Sequence, residues 1–395
     1  MAQAWPVVDL FSGAGGMSCG FSRRDGFELV GAADGQLGKP SAAVGSLGCN
    51  ASYAASIGLQ PTEADLSGVE PAEVCAAMGL DGSRPAVLVA GPPCTGFSRT
   101  IASNHLHDDR RNSLVGLIGE YAALLRPDVV LVENARELVT GRFGGHLQGL
   151  LGQLDALGYT AIADTHFLTD FGLPQRRERA IVVAARRPLR PRGLRSLWQG
   201  WRIDPKATHV RRAIWDLPPV AAGRRDPVDP LHVSPAFRSE VNQRRLAATP
   251  HDGGGWADLA GLPDAVGLLT PAMARRAALG QFGSHPDIYG RMWWDRPAPT
   301  IKRECSHVGN GRYAHPEQDR LCTVREMSIL QGFPRDYRFA GTMANMYRHI
   351  GDAVPPLISY QLAGLCEWML TGDRPDPGDL LLAGCQLTTG DLLRA

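Results

Sequence analysis

The amino-acid sequence predicts an α/β fold, and three observations carry the prediction. Short apolar, β-branched runs recur through the first 185 residues; polar or glycine-rich turns follow them; and stretches of helical length lie between them. The runs are Trp5 to Phe11, Phe27 to Ala33, Pro85 to Ala90, Asp128 to Val132 and Ala180 to Ala185, which read as strands of a parallel sheet. Ser113 to Leu125 and His146 to Leu157 carry Leu, Ile and Ala at spacings near three and four, so they read as amphipathic helices covering that sheet. Residues 1–187 are therefore expected to form a Rossmann-like domain with a ligand site at the carboxyl edge of its strands.

The texture changes near Pro188. Pro, Gly, Arg and Trp accumulate through Pro299, and turn signals such as Pro218-Pro219 and Gly253-Gly254-Gly255 break the periodicity. A smaller, irregular domain is expected over 188–299. Helical patterning returns at Thr323 to Gln331 and Pro356 to Leu370, so 300–370 reads as a return to the first domain. Residues 371–395, rich in Gly, Pro and Asp, read as a loosely ordered tail.

A chain of 395 residues, 44% hydrophobic and 21% charged, has the composition of a folded globular protein and excludes wholesale disorder or a coiled coil. The opening residues lack a basic stretch, and no apolar run approaches the ~18 residues of a membrane span, so a cytoplasmic protein without a membrane partner is expected. The eight cysteines are scattered without a C-x-x-C pair, which predicts reduced thiols and no zinc site. Net charge is +1, yet Arg186 to Arg245 holds 14 basic residues against five acids, a local excess of +9. Such a stretch is either a phosphate-binding face or a solvated surface.

Two motifs carry chemistry. After the first strand, Phe11-Ser12-Gly13-Ala14-Gly15-Gly16 forms a glycine-rich turn, which either serves only to reverse the chain or lets backbone amides approach a nucleotide-like ligand. Asp34 ends the second strand, where a carboxylate commonly takes ribose hydroxyls, and Asp65 lies downstream, so an adenosine-type ligand fits. Gly91-Pro92-Pro93-Cys94-Thr95-Gly96-Phe97-Ser98 follows the third apolar run, placing Cys94 at the same edge. The next run ends in Val132-Glu133-Asn134-Ala135. A cysteine and a glutamate on adjacent strand ends suggest covalent catalysis assisted by an acid.

These residues carry a resemblance that spans nearly the whole chain. DLFSGAGG at Asp9 to Gly16, GPPCTGFS at Gly91 to Ser98, DRRNSL at Asp109 to Leu114, ENAREL at Glu133 to Leu138, QRRER at Gln175 to Arg179, REMSILQGFP at Arg325 to Pro334 and IGDAVPP at Ile350 to Pro356 occur in order. The chain resembles the DNA (cytosine-5)-methyltransferase family, bacterial type.

The resemblance implies a Rossmann-like S-adenosylmethionine-dependent methyltransferase domain with a target-recognition domain, most variable over 220–289, whose basic neighbourhood would face the DNA phosphates. It implies S-adenosylmethionine as cofactor, held by Phe11, Ser12, Gly13, Gly15, Asp34, Asp65, Leu66, Pro93, Leu114, Asp352 and Val354. Catalysis would fall to Cys94 attacking cytosine C6, Glu133 at the base N3, Arg179 at the base carbonyl, Arg177 bracing the active-site loop, and Gln175 as a further catalytic residue. A thiol is only a few per cent thiolate near neutral pH, so Arg177 and Arg179 would also help ionise it. Ser98, Arg99, Arg110 and Arg111 would contact DNA phosphates in a loop that closes over the duplex. His105 and His107 have H-x-H spacing but no further clustered ligand, so no metal is expected.

The implied partner is double-stranded DNA, with a cognate restriction or phage-defence system as a further implied partner and a monomeric protein at work on the bacterial nucleoid. Two features depart from the family pattern. Gly35 to Ser52 is a longer link than usual, and Asp352 stands where most relatives carry Asn. Two rivals remain from the sequence: a catalytically silent DNA-binding relative, disfavoured by the presence of Cys94, Glu133, Gln175 and Arg179, and a tRNA cytosine-5 methyltransferase.

Overall fold

The computed structural model describes residues 4–37, 47–93, 113–141, 144–263, 267–282 and 287–395. Its centre is a seven-stranded sheet of β1 (Trp5–Leu10), β2 (Phe27–Asp34), β3 (Thr62–Glu63), β4 (Val87–Ala90), β5 (Val129–Ala135), β6 (Tyr159–Phe167) and β7 (Glu178–Arg186), in spatial order β3-β2-β1-β4-β5-β7-β6. All five sequence-predicted strands are present. β1 to β5 pair in parallel, but β7 runs antiparallel to both β5 and β6, which corrects the expectation of a wholly parallel sheet. An antiparallel neighbour needs no crossover helix, and only a short 3-10 turn at Leu168–Phe171 and a loop join β6 to β7.

Buried parallel strands are apolar on both faces, and successive side chains serve opposite layers. Val7, Val87 and Val89 pack on one side against α1 (Gly16–Ser22) through Met17 and Phe21. Val8, Leu10, Leu88 and Ala90 point to the other layer. That layer holds α3 (Pro71–Ala77), α4 (Leu114–Leu125) and α6 (Gly145–Ala156), after α2 (Cys49–Ile57) and the short α5 (Glu137–Thr140) in chain order. The two predicted helices match α4 and α6 to within a residue at each end. β6 escaped the sequence reading because, as the edge strand, it alternates exposed and buried residues with small or polar ones among them.

Within 188–299 lie α7 (Leu194–Leu197), β8 (Trp201–Ile203), α8 (Val210–Ile214), α9 (Glu240–Ala248), α10 (Trp256–Ala260) and α11 (Pro271–Ala278). The chain then returns through α12 (Val324–Leu330), α13 (Met343–Asp352) and α14 (Pro356–Thr371). Thr323 and Glu326 cap α12 reciprocally, each side chain accepting from the other's backbone N–H at 3.1 and 2.7 Å. A third apolar cluster joins Val210, Ile214, Met292 and Trp294 to Met327, Leu330 and Tyr347, so the irregular stretch is anchored at both its ends. Among the described residues no helix is long and apolar enough to cross a membrane.

Two expectations are corrected. The tail is not loose: Leu380 and Leu387 are buried in the main core, and β9 (Leu392–Arg394) pairs with β8, Trp201 opposite Arg394. Nor is the basic stretch one face. Arg186 ion-pairs with Asp128 at 2.7 Å, Arg187 pairs with Asp155, and Arg192 stacks 3.9 Å from the Trp368 ring centroid. β7 pairs Ala185 with Val129 and Arg179 with Ala135, so Arg186 and Arg187 lie at the amino edge of the parallel strands, opposite the glycine turn.

Candidate active site

β1 lies between β2 and β4, which leave in opposite directions across the sheet, so a crevice opens beyond its carboxyl end. There the chain turns through three left-handed residues, Phe11 (φ 57°), Gly13 (φ 52°) and Gly15 (φ 85°). The Asp34 carboxylate braces the turn, accepting from the Gly13 N–H at 2.9 Å and the Gln36 N–H at 2.6 Å. A cavity of about 910 Å³ runs from this turn to Glu133 and Arg179.

Ten of the eleven residues expected to hold a cofactor line that cavity: Phe11, Ser12, Gly13, Asp34, Asp65, Leu66, Pro93, Leu114, Asp352 and Val354. Gly15 does not. It caps α1, and a side chain there would meet Tyr53, Ile57 and Tyr337 rather than the cavity, so its role is to let α1 start against that packing. Asp65 accepts from the Ser67 N–H and hydroxyl at 3.0 and 2.7 Å, which fixes its carboxylate at the rim.

At the far end Glu133 leaves β5 and Arg179 opens β7. Nε of Arg179 stands 2.9 Å from Oε1 of Glu133, and the arginine also donates to the Glu178 carbonyl at 2.8 Å. Both side chains are nearly buried, so the pair meets with little competition from water. Arg177 lines the cavity and ties its walls, donating to the carbonyls of Ile301 (3.2 Å) and Ala353 (3.3 Å). Gln175 lies outside the cavity: its amide donates to Gln331 and Leu330, and it accepts from the Ile301 N–H at 2.9 Å. These bonds brace the wall. Cys94, Ser98, Arg99, His105, His107, Arg110 and Arg111 lie outside the described residues.

Several contributors had little or no sequence signal. Asn134, fully buried, donates to the Pro92 carbonyl at 3.0 Å and holds the segment leading to Cys94; only its place in the ENAREL motif pointed to it. His349 lines the cavity and bridges the Leu47 carbonyl (2.8 Å) and Ser52 (3.1 Å), with burial holding its pKa below the usual value. Arg303 also lines the cavity, with Nε 2.8 Å from Oδ2 of Asp352. Enclosure by the cavity, onto which its side chain still opens, pushes the Asp352 carboxyl up to about 6, opposed by Arg303 and Arg177. Asp9, fully buried beneath the turn, accepts from Ser18 at 2.6 Å, and its other oxygen has no partner among the described residues. Burial pushes its carboxyl up to about 7.

A sheet of this order, with one antiparallel strand and a glycine-turn cavity at its carboxyl edge, defines a Rossmann-like methyltransferase. The chain belongs to the C-5 cytosine-specific DNA methylase family, whose sequence profile matches residues 6–368. It is 31% identical over 293 residues to the Type II methylase M.HgiDII of Herpetosiphon aurantiacus, covering 72% of this chain and 77% of that one. It is 28% identical to the Type II methyltransferase M.AgeI of Thalassovita gelatinovora, over 90% and 98% of the two chains. The fold superposes, with a TM-score of 0.65 and 20% identity, on a protein described as a DNA modification methyltransferase encoded within an E. coli prophage, over 93% of this chain and 99% of that one. The protein is thus a DNA (cytosine-5)-methyltransferase.

Proposed function

We propose that the enzyme uses S-adenosylmethionine to methylate C5 of a cytosine flipped out of a specific duplex sequence, through a covalent bond between Cys94 and C6. The observation that carries this reading is the single cavity joining the glycine turn to the Glu133–Arg179 pair, which leaves room for a nucleoside-sized donor and a base side by side. The donor fits the residues present. Gly13 has no atom within 4 Å of where a side chain would project, and the buried Ser12 hydroxyl has no protein partner among the described residues. When bound, the donor supplies an electrophilic sulfonium methyl group.

Cytosine C5 is a weak nucleophile. The Cys94 thiolate adds to C6, and the electron pair pushed into the ring makes C5 able to accept the methyl group. Glu133 holds the base at N3 and Arg179 holds its carbonyl, offsetting the charge that develops there. Transfer of the C5 proton to solvent water then lets its electron pair re-form the C5–C6 double bond, which breaks the C6–S bond and releases the Cys94 thiolate. Ring atoms inside a duplex are out of reach, so flipping is required, at a cost of a few kcal/mol in lost stacking.

Residues 188–299 would supply the target-recognition region, with sequence choice concentrated in 220–289, and Ser98, Arg99, Arg110 and Arg111 would contact phosphates. The likeness to Type II methyltransferases supports pairing with a cognate restriction system. The deciding experiment uses duplex DNA containing 5-fluorocytosine, from which the blocking fluorine cannot leave. A denaturation-resistant protein–DNA complex is expected with the wild type and none with Cys94→Ala. A trapped complex that persists in Cys94→Ala would place the nucleophile elsewhere.

A further inference from the structure

The donor proposed above has, beyond its adenosine, an amino-acid end with a carboxylate close to positive charge. We infer that Arg303 and Asp352 form the seat for that end, Arg303 taking the α-carboxylate and Asp352 facing the neighbouring cation. The inference rests on the donor assignment and adds to it a residue that none of the sequence motifs contains.

Position comes first. Asp352 and Arg303 line the same cavity as Asp34, beside the glycine turn, and Arg177, which ties the wall at the base end. The segment bearing it is pressed onto the turn: a side chain at Gly16 would strike the Val354 carbonyl. Arg303 is fixed from the same side, since a side chain at Gly351 would strike the backbone of Lys302 and Arg303. Both charged groups are therefore carried on backbone packed closely against neighbouring segments.

Availability comes second. The cavity is lined by three described arginines. Arg177 is committed to two carbonyls in the wall, and Arg179 to Glu133 and the Glu178 carbonyl. Among the described residues Arg303 donates one hydrogen bond, of 3.3 Å, to the Leu37 carbonyl. Its Nε–H is buried 2.8 Å from the Asp352 carboxylate yet lacks hydrogen-bond geometry toward it, so Asp352 balances the charge without exhausting the donors. A guanidinium fork matches a carboxylate in two parallel hydrogen bonds, which a lone ammonium does not. Asp352 keeps 43% of its side chain accessible and so can meet a ligand cation while paired. A neutral pair that receives a zwitterion leaves no uncompensated charge before or after binding.

The test is calorimetric titration of the full-length protein with S-adenosylmethionine and with its decarboxylated analogue, which lacks only the α-carboxylate. Arg303→Gln is expected to weaken S-adenosylmethionine binding by about 10- to 100-fold, the loss typical of a hydrogen bond to a charged group, while changing the analogue's affinity by less than about twofold. Arg303→Lys, which keeps the charge, is expected to retain part of the preference and guards against a folding defect in the glutamine variant. Equal losses for both ligands would overturn the seat and leave the donor intact. Absence of S-adenosylmethionine binding by the wild type would overturn the donor assignment itself.

Discussion

Arg179 leans forward along β7, toward Ile181, to set its guanidinium 2.9 Å from the Glu133 carboxylate, although its own backbone is paired with Ala135, two residues beyond Glu133 on β5. The diagonal contact exists because β7 is antiparallel: its first residues lie over the last residues of β5, and acid and base from distant sequence meet at one edge. Each group orients the other before a base arrives.

The pair should matter mostly to turnover. Arg179→Ala is expected to lower methyl transfer by about 10²- to 10³-fold, the usual loss when one donor to developing negative charge is removed. Glu133→Gln should cost about 10²- to 10⁴-fold. Transfer of labelled methyl groups to DNA measures both, and a loss under tenfold in either variant would remove that residue from the chemistry.

Neighbouring glycines should fail differently. At Gly16 a methyl group would collide with the Val354 carbonyl, so Gly16→Ala is expected to destabilise the fold by about 1–3 kcal/mol. At Gly13 the space is open but φ is 52°, so Gly13→Ala should cost about 1–2 kcal/mol in backbone strain and, in addition, weaken donor binding by projecting into the cavity. Thermal denaturation beside calorimetric titration separates the two, and donor affinity unchanged in Gly13→Ala would contradict the placement.

Asp9 gives a pH dependence whose sign is set by burial. Its carboxyl is raised from 3.8 to about 7, so between those values the folded chain holds a proton that the unfolded chain releases. That contribution to stability is full below about pH 4 and is lost as pH rises toward 7. Asp9→Asn keeps the shape and removes the titration. The urea midpoint of the wild type should therefore fall more steeply from pH 5 to 8 than that of the variant; parallel curves would refute the assignment.

Arginines at the amino edge of the sheet should be silent toward DNA. DNA affinity is expected to fall with salt by about 0.9 log units per log unit for each phosphate neutralised. Arg186→Gln with Arg187→Gln should leave that slope unchanged, because both are paired to aspartates away from the cavity. A slope reduced by one or more would bring that edge into the interface.

Much of this architecture is legible in sequence for a physical reason. Strands buried on both faces read as unbroken apolar runs, so β1, β4, β5 and β7 stand out, and the turn and carboxylate at their ends can be placed by counting. Strand direction leaves no such trace, and β7 reads alike in either sense. Edge strand β6 hides in alternation, and the tail hides because Leu380, Leu382 and Leu387 are spread among glycines and aspartates, each burying itself alone. A motif marks that Gly15 and Gln175 matter without saying which way they face: the first caps α1 and the second braces the cavity wall. Arg303 and His349 are single polar residues brought to the cavity by tertiary contacts that no local pattern encodes.

The helix that seals the first strand is encoded more than three hundred residues after it: α14 sends Leu357, Ile358 and Leu362 onto the layer that holds Val7, Met17 and Phe21. On the ribosome, where synthesis adds about 5–20 residues per second, the emerging sheet would wait tens of seconds with that face bare. The interval exposes Val87 and Val89 to chaperones or to neighbouring nascent chains. Slower translation of the intervening segment would lengthen it, so yield of active enzyme in cells depends on the pace of elongation as well as on the stability of the finished fold.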